Sequence, residues 1–90
     1  MKLKFFATYR DLTGCKEINI PAPPTAIALL EALAERYGSA MRKKMFTESG
    51  EITEDVILLV NGRHIAHLSG VDTPLSDDDT ISLFPLVAGG

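Results

Sequence analysis

Three prolines, Pro21, Pro23 and Pro24, stand just before a helical pattern over Ala26–Tyr37, and this junction constrains the fold more than any other feature. Proline cannot donate to a sheet ladder, so a strand arriving from the N-terminal side must stop there. Thr25 then offers a hydroxyl that can accept an early backbone N–H and cap the helix. Ala28 stands where a capping-box glutamate would complete the motif, so the cap is a single one. Ile27, Leu30, Leu33, Ala34 and Tyr37 recur at helical spacing and form an apolar stripe. Gly38 closes the helix at the position where left-handed backbone is common. The chain thus has one well-bounded helix, and its apolar stripe must be covered by the rest.

The remaining elements read mostly as strands. Over Met1–Thr8, Leu3, Phe5 and Ala7 share one phase, and Lys4, Phe6 and Thr8 the other. Tyr9–Gly14 reads as a polar connection with Gly14 available for a turn. Glu17–Ile20 resumes the period of two, which predicts a hairpin. Ser39–Phe46 suggests a second short helix with Met41 and Met45 one turn apart, followed by a turn-rich Thr47–Glu54. Val56–Val60 is a continuous apolar run, as in a central strand contacted on both faces. Asn61-Gly62 is a strong two-residue hairpin signal, and Arg63–Ile65 would be the short return strand. After an irregular His67–Leu75 and an acidic turn at Asp77–Asp79, Thr80–Leu86 forms the last strand, with Ile81 and Leu83 inward. The order strand, strand, helix, strand, short strand, strand describes an α+β two-layer domain. One main helix lies across a mixed sheet of four to five strands, which is the order of the β-grasp fold.

Ninety residues allow one domain, and 46% hydrophobic with 23% charged residues is ordinary globular material. A chain of this size hides roughly two thirds of its unfolded surface, enough for a core without staples. The single cysteine, Cys15, excludes an internal disulfide framework and reads as a simple free thiol of a reducing, cytoplasmic compartment. Met1–Ala7 lacks the apolar run of a signal peptide, and no segment approaches the ~20 apolar residues that span a bilayer. The net charge of −3 and the scattered basic residues argue against nucleic acid. His64 and His67 have no second cluster of ligands, and Asp77–Asp79 lacks the spaced oxygens of a calcium loop, so no metal site is expected.

The chain closes on Val87-Ala88-Gly89-Gly90. At an average glycine usage of about 7%, a terminal Gly-Gly arises by chance in about one chain in two hundred. Frayed, small-residue ends are common, and the pair is only suggestive alone. Here it directly follows a core strand, so a domain of residues 1–86 would present 87–90 as a flexible lead. Glycine has no Cβ, so such a tail can thread a narrow channel and deliver an unhindered carboxylate. Activated as a mixed anhydride, that carboxylate would accept a sulfur or amine nucleophile. The chain itself then needs no general base, because a partner supplies the chemistry.

Phe84-Pro85-Leu86-Val87-Ala88-Gly89-Gly90 resembles the C-terminal signature of the MoaD and ThiS families of ubiquitin-like sulfur carriers and modifiers. The likeness runs along the chain, through Lys4-Phe5-Phe6-Ala7, Leu30–Tyr37, Val60-Asn61-Gly62 and Thr73-Pro74-Leu75-Ser76-Asp77. Leu86 stands where the MoaD branch usually has a second proline, and Asp78 where it usually has glycine. The resemblance implies that Gly90, presented by Gly89, is adenylated by a ubiquitin-activating-type enzyme that uses ATP and is then converted to a thiocarboxylate. No bound cofactor is expected. In molybdopterin synthase the sulfur passes to a pterin precursor in the large subunit, which makes that subunit an expected partner and molybdopterin biosynthesis the first expected pathway. The alternative is a protein modifier joined through Gly90 to lysines, and a third is a binding domain with no covalent chemistry. In each case the chain is a carrier, subunit or binding module, not an enzyme.

Phe6 and Phe84 fall on the outward phases of the first and last strands. A β-grasp sheet sets those strands side by side, so the rings are expected to be neighbours. Contiguous exposed apolar surface marks partner sites. Phe6, Phe84, Pro85, Leu86, Val87 and Ala88 are the expected partner-binding residues, extended by the outward phase of Val56–Val60. A covering loop or the second helix would remove this face.

Overall fold

The computed structural model describes residues 1–86. Strand β1 (Lys2–Phe5) buries Leu3 and Phe5 completely, while Lys2 and Lys4 point to the other side. It pairs antiparallel with β2 (Glu17–Asn19), setting Lys4 opposite Glu17. The last strand, β5 (Thr80–Phe84), lies between β1, to which it is parallel, and β3 (Ile57–Val60), to which it is antiparallel. A two-residue strand, β4 (Arg63–His64), completes a mixed sheet of order β2-β1-β5-β3-β4. It follows a tight turn in which Asn61 and Gly62 both have positive φ, 52° and 86°, as this hairpin type requires. This is the ubiquitin-like β-grasp.

One face of the sheet carries the core. Helix α2 (Ala26–Tyr37) starts at Thr25, whose hydroxyl accepts the Ala28 N–H at 3.4 Å. It buries Ala26, Leu29, Leu30, Leu33 and Ala34. Ile27 and Tyr37 sit half-buried at the margin, so the buried stripe is rotated toward Leu29 relative to the stripe expected from spacing. Helix α3 (Ser39–Met45) adds Met41 and Met45. Together with Leu3, Phe5, Leu58, Ile81 and Leu83 they form one continuous cluster.

Three boundaries differ from expectation. Tyr9–Gly14 is not a plain connection, because Thr8–Thr13 forms a short helix, α1. Ala7, at φ 52°, turns the chain out of β1. Tyr9 is then fully buried with its phenol donating to the carbonyl of Asp55, and Gly14 closes the helix in left-handed backbone. Burial of this one ring overrides the period of two. The return strand stops at His64, whose Nδ1 accepts the Ala66 N–H at 2.9 Å and turns Ile65 into the core on a single 3-10 turn. The last strand stops at Phe84, since Pro85 has no N–H to continue the ladder.

The acidic run is a turn, as expected. Asp79 accepts the Ser76 N–H and the Asn61 side-chain amide, both at 2.9 Å, and Asp77 accepts the Ala22 N–H at 2.8 Å.

Burial, reinforced by the Asp55 carboxylate, pushes the Tyr9 phenol above its ordinary value of 10.0. The folded chain therefore holds this proton at pH values where the unfolded chain releases it. Its contribution to stability is fully present below about pH 10 and declines as pH rises above it. In urea unfolding from pH 8 to 11, Tyr9→Phe is expected to cost about 1 kcal/mol at pH 8 through the lost hydrogen bond. The gap to the parent should close as pH passes 10. A gap that stays constant with pH would refute the burial of an uncharged phenol.

Candidate functional site

The face of the sheet opposite the helices is set by alternation. β1 directs Lys2 and Lys4 to it, β5 directs Ser82 and Phe84, and β3 directs Ile57 and Leu59. Just past β1, the Phe6 N–H donates to the Leu83 carbonyl, which holds Phe6 beside the end of β5. The Phe6 and Phe84 rings are stacked, with centroids 4.1 Å apart and planes 11° from parallel. Both are half-buried, on the face of the sheet opposite α2 and α3. Ile57 lies opposite Phe84 in the ladder and extends the apolar surface. Arg10, carried by α1, places its guanidinium carbon 6.0 Å from the centre of the Phe6 ring. The face is thus a small apolar platform with cationic neighbours Lys4 and Arg10.

Chain direction leads from this platform to the tail. Beyond Phe84, Pro85 is buried and does not contribute accessible surface, contrary to its expected place in the docking face. Its ring turns inward because alternation brings residue 85 to the same side as Ile81 and Leu83. Leu86 is 51% exposed, and its N–H donates to Oδ1 of Asp55 at 3.2 Å. Val87, Ala88, Gly89 and Gly90 lie outside the described residues.

Asp55 was not legible as a site residue. Its Oδ2 meets the Lys44 ammonium at 3.4 Å, its backbone N–H donates to the Thr53 hydroxyl, and its carbonyl takes the Tyr9 phenol. A single acidic residue in a polar loop carries no sequence pattern that announces such a junction. Ile57 and Leu59 were legible only as a pair of alternatives, because an unbroken apolar run has no phase of its own.

Among the described residues there is no group of three or more His, Cys, Asp and Glu placed to hold a metal, and no cleft for a small substrate. His64 and His67 lie edge to face with centroids 6.3 Å apart. Cys15 is half-buried against the core. No helix of the described residues is long and apolar enough to cross a membrane.

Comparison with known proteins agrees with this architecture. The model of the ThiS family matches residues 3–90. Small archaeal modifier protein 3 of Haloferax volcanii is 38% identical over 92 residues, covering 100% of this chain and 98% of its own length. A proposed sulfur carrier protein of Archaeoglobus fulgidus is 28% identical over 74 residues, covering 82% of this chain and 84% of its own. Among solved structures, small archaeal modifier protein 1 from Methanosarcina acetivorans superimposes with a TM-score of 0.83 at 33% identity, covering 99% of this chain and 94% of that one. With a β-grasp sheet, an open stacked-phenylalanine face at the root of the tail and a family match that runs through Gly90, this chain belongs to the ThiS family of ubiquitin-like sulfur carriers and modifiers.

Proposed function

We propose that the working group of this chain is the carboxylate of Gly90, which a ubiquitin-activating-type enzyme adenylates at the expense of ATP, releasing pyrophosphate. A sulfur nucleophile at the oxidation level of sulfide then attacks the acyl carbon. The bond to AMP breaks, AMP leaves with the bonding pair, and a thiocarboxylate remains, with no net oxidation or reduction. The chain is a carrier, not an enzyme, and binds no cofactor of its own. Gly89 and Gly90 give the tail a profile without side chains, suited to a narrow channel. Phe6, Phe84 and Leu86 dock the activating enzyme and then the acceptor, and Val87 and Ala88 follow the tail into the partner's channel. The observation that carries this reading is the stacked, half-exposed Phe6–Phe84 platform, on the face opposite α2 and α3 at the end of the strand that leads to the diglycine. The sulfur acceptor we propose is a pterin precursor held in the large subunit of molybdopterin synthase.

A second reading keeps the same activation and changes the acceptor. The names of the relatives from Haloferax and Methanosarcina favour a modifier, in which a lysine amine of another protein attacks the activated Gly90 to form an isopeptide. One experiment addresses the shared step. Intact mass is measured after incubation with ATP, sulfide and the host's activating enzyme, beside a variant lacking Gly90. A gain equal to exchange of one oxygen for sulfur, absent from the variant, supports the carrier. An unchanged mass with an enzyme shown to be active would sink the sulfur-carrier reading. A ladder of conjugates in the host, lost with Gly90, would favour the modifier.

A further inference from the structure

The tail of a carrier must leave the domain in a direction that suits the enzyme, and the last point at which the domain grips the chain sets that direction. Pairing of β5 ends at Phe84. Pro85 has no N–H, so the Leu86 amide is the first donor after the strand that anything can hold. It is held by Oδ1 of Asp55, 31 residues earlier in the sequence.

The carboxylate is well placed for this grip because three other elements fix Asp55. The Lys44 ammonium on α3 sits 3.4 Å from the second oxygen, Oδ2. Its side chain is only 18% exposed, and the ammonium lies 5.1 Å from the centre of the Tyr9 ring. The Tyr9 phenol on α1 donates to the Asp55 carbonyl, and the Asp55 N–H donates to the Thr53 hydroxyl at 3.2 Å. That hydroxyl in turn donates to the Lys44 carbonyl at 2.6 Å. Two helices and a loop thus converge on one residue, and its free oxygen points at the tail root.

We infer that Asp55 is a positioning residue for the tail: by holding the Leu86 N–H it moves the effective end of the rigid body from the buried Pro85 to Leu86. This rests on the reading that Gly90 is the reacting group. Four residues follow Leu86, and a chain of four spans at most ~14 Å, so the grip confines the carboxylate to a correspondingly small volume. Without it the free lead grows and its root can swing about the Pro85–Leu86 junction. Docking through the Phe6–Phe84 stack is unaffected, so the loss falls chiefly on the chemical step rather than on binding.

The test compares the parent chain with Asp55→Ala and Asp55→Asn. Alanine keeps the backbone groups used by Tyr9 and Thr53, and a dispersed amide spectrum verifies folding. Two readouts are taken: the NMR shift and temperature coefficient of the Leu86 amide, and the steady-state rate of ATP–pyrophosphate exchange by the host's activating enzyme as the chain is titrated. Asp55→Ala is expected to give Leu86 the signature of a free amide and to lower kcat about fivefold at unchanged KM. Asp55→Asn, which keeps an acceptor oxygen for the Leu86 N–H, restores most of both. An unaltered Leu86 amide in Asp55→Ala would remove the grip itself. A freed amide with unchanged kcat would remove the positioning role. A parent chain that supports no exchange with a demonstrably active enzyme would fell the Gly90 reading and the positioning role with it, while the Leu86 amide still reports whether the contact exists.

Discussion

Replacing Phe84 by aspartate is expected to leave the chain folded but to lower its adenylation, measured as kcat/KM for the chain, about a hundredfold. Phe84 is half-buried on the face opposite the core, and its backbone pairing with Ile57 does not depend on the ring. The folding cost is therefore limited to the lost stack with Phe6, about 0.5–1.5 kcal/mol, and to the partial burial of the ring. Against the enzyme the effect is larger. A central aromatic anchor contributes about 2–4 kcal/mol to an interface. A carboxylate in its place must be desolvated beside Phe6 and Ile57 when the enzyme docks, with the cations Lys4 and Arg10 only at the margin of the platform. Each 1.4 kcal/mol is about tenfold, which places the loss near two orders of magnitude. Far-ultraviolet circular dichroism checks the fold. Undiminished adenylation would show that the enzyme docks elsewhere, and the candidate site would have to be moved.

Leu30→Ala should produce the opposite pattern, a chain that is active when cold and unfolds early. Leu30 is fully buried on the face of α2 that meets the sheet. Alanine is the best helix former, so the helix backbone is not weakened and the cost isolates packing. Removing a buried leucine side chain costs about 2–5 kcal/mol. A domain of this size has ~5–15 kcal/mol in total. At about 4–8 °C per kcal/mol, the melting temperature should drop by roughly 8–40 °C. Ile27→Ala, at the half-buried margin of the same helix, should cost clearly less. Equal costs for the two would mean that α2 packs with a different face toward the sheet. Because the docking face lies on the far side of the sheet, Leu30→Ala assayed well below its midpoint should be adenylated at close to the parental rate.

The two substitutions separate what local pattern can say from what it cannot. Helix α2 was readable to the residue, since Thr25 and Gly38 mark its ends by their own backbone chemistry. The Asn61-Gly62 turn was readable for the same reason: both residues tolerate the positive φ that the hairpin imposes. The inward phase of β5, through Ile81 and Leu83, followed from alternation alone. Where prediction departed, a distant partner had intervened. Tyr9 draws Thr8–Thr13 into a helix because its ring and hydroxyl are satisfied by the core and by Asp55, 46 residues away. Leu29 outranks Ile27 in burial because the sheet, not the helix, chooses which side of a broad apolar stripe is covered. Pro85 turns inward because the pleat of β5 persists one residue beyond its last paired position.

By itself, the amino-acid sequence determined the order of the strands and of the two helices α2 and α3, the α+β class and the Gly89-Gly90 pair. Those features rest on the dihedral preferences of proline and glycine and on periods of two and 3.6, which act over a few residues. The stacking of Phe6 on Phe84, the phase of Ile57 and Leu59 and the grip of Asp55 on Leu86 were decided only by tertiary structure. Each depends on which strands become neighbours. Placing β5 between β1 and β3 joins the two ends of the chain at the centre of the sheet. Burial of Leu3, Phe5, Ile81 and Leu83 against the helices rewards that arrangement, a long-range effect with no local signature.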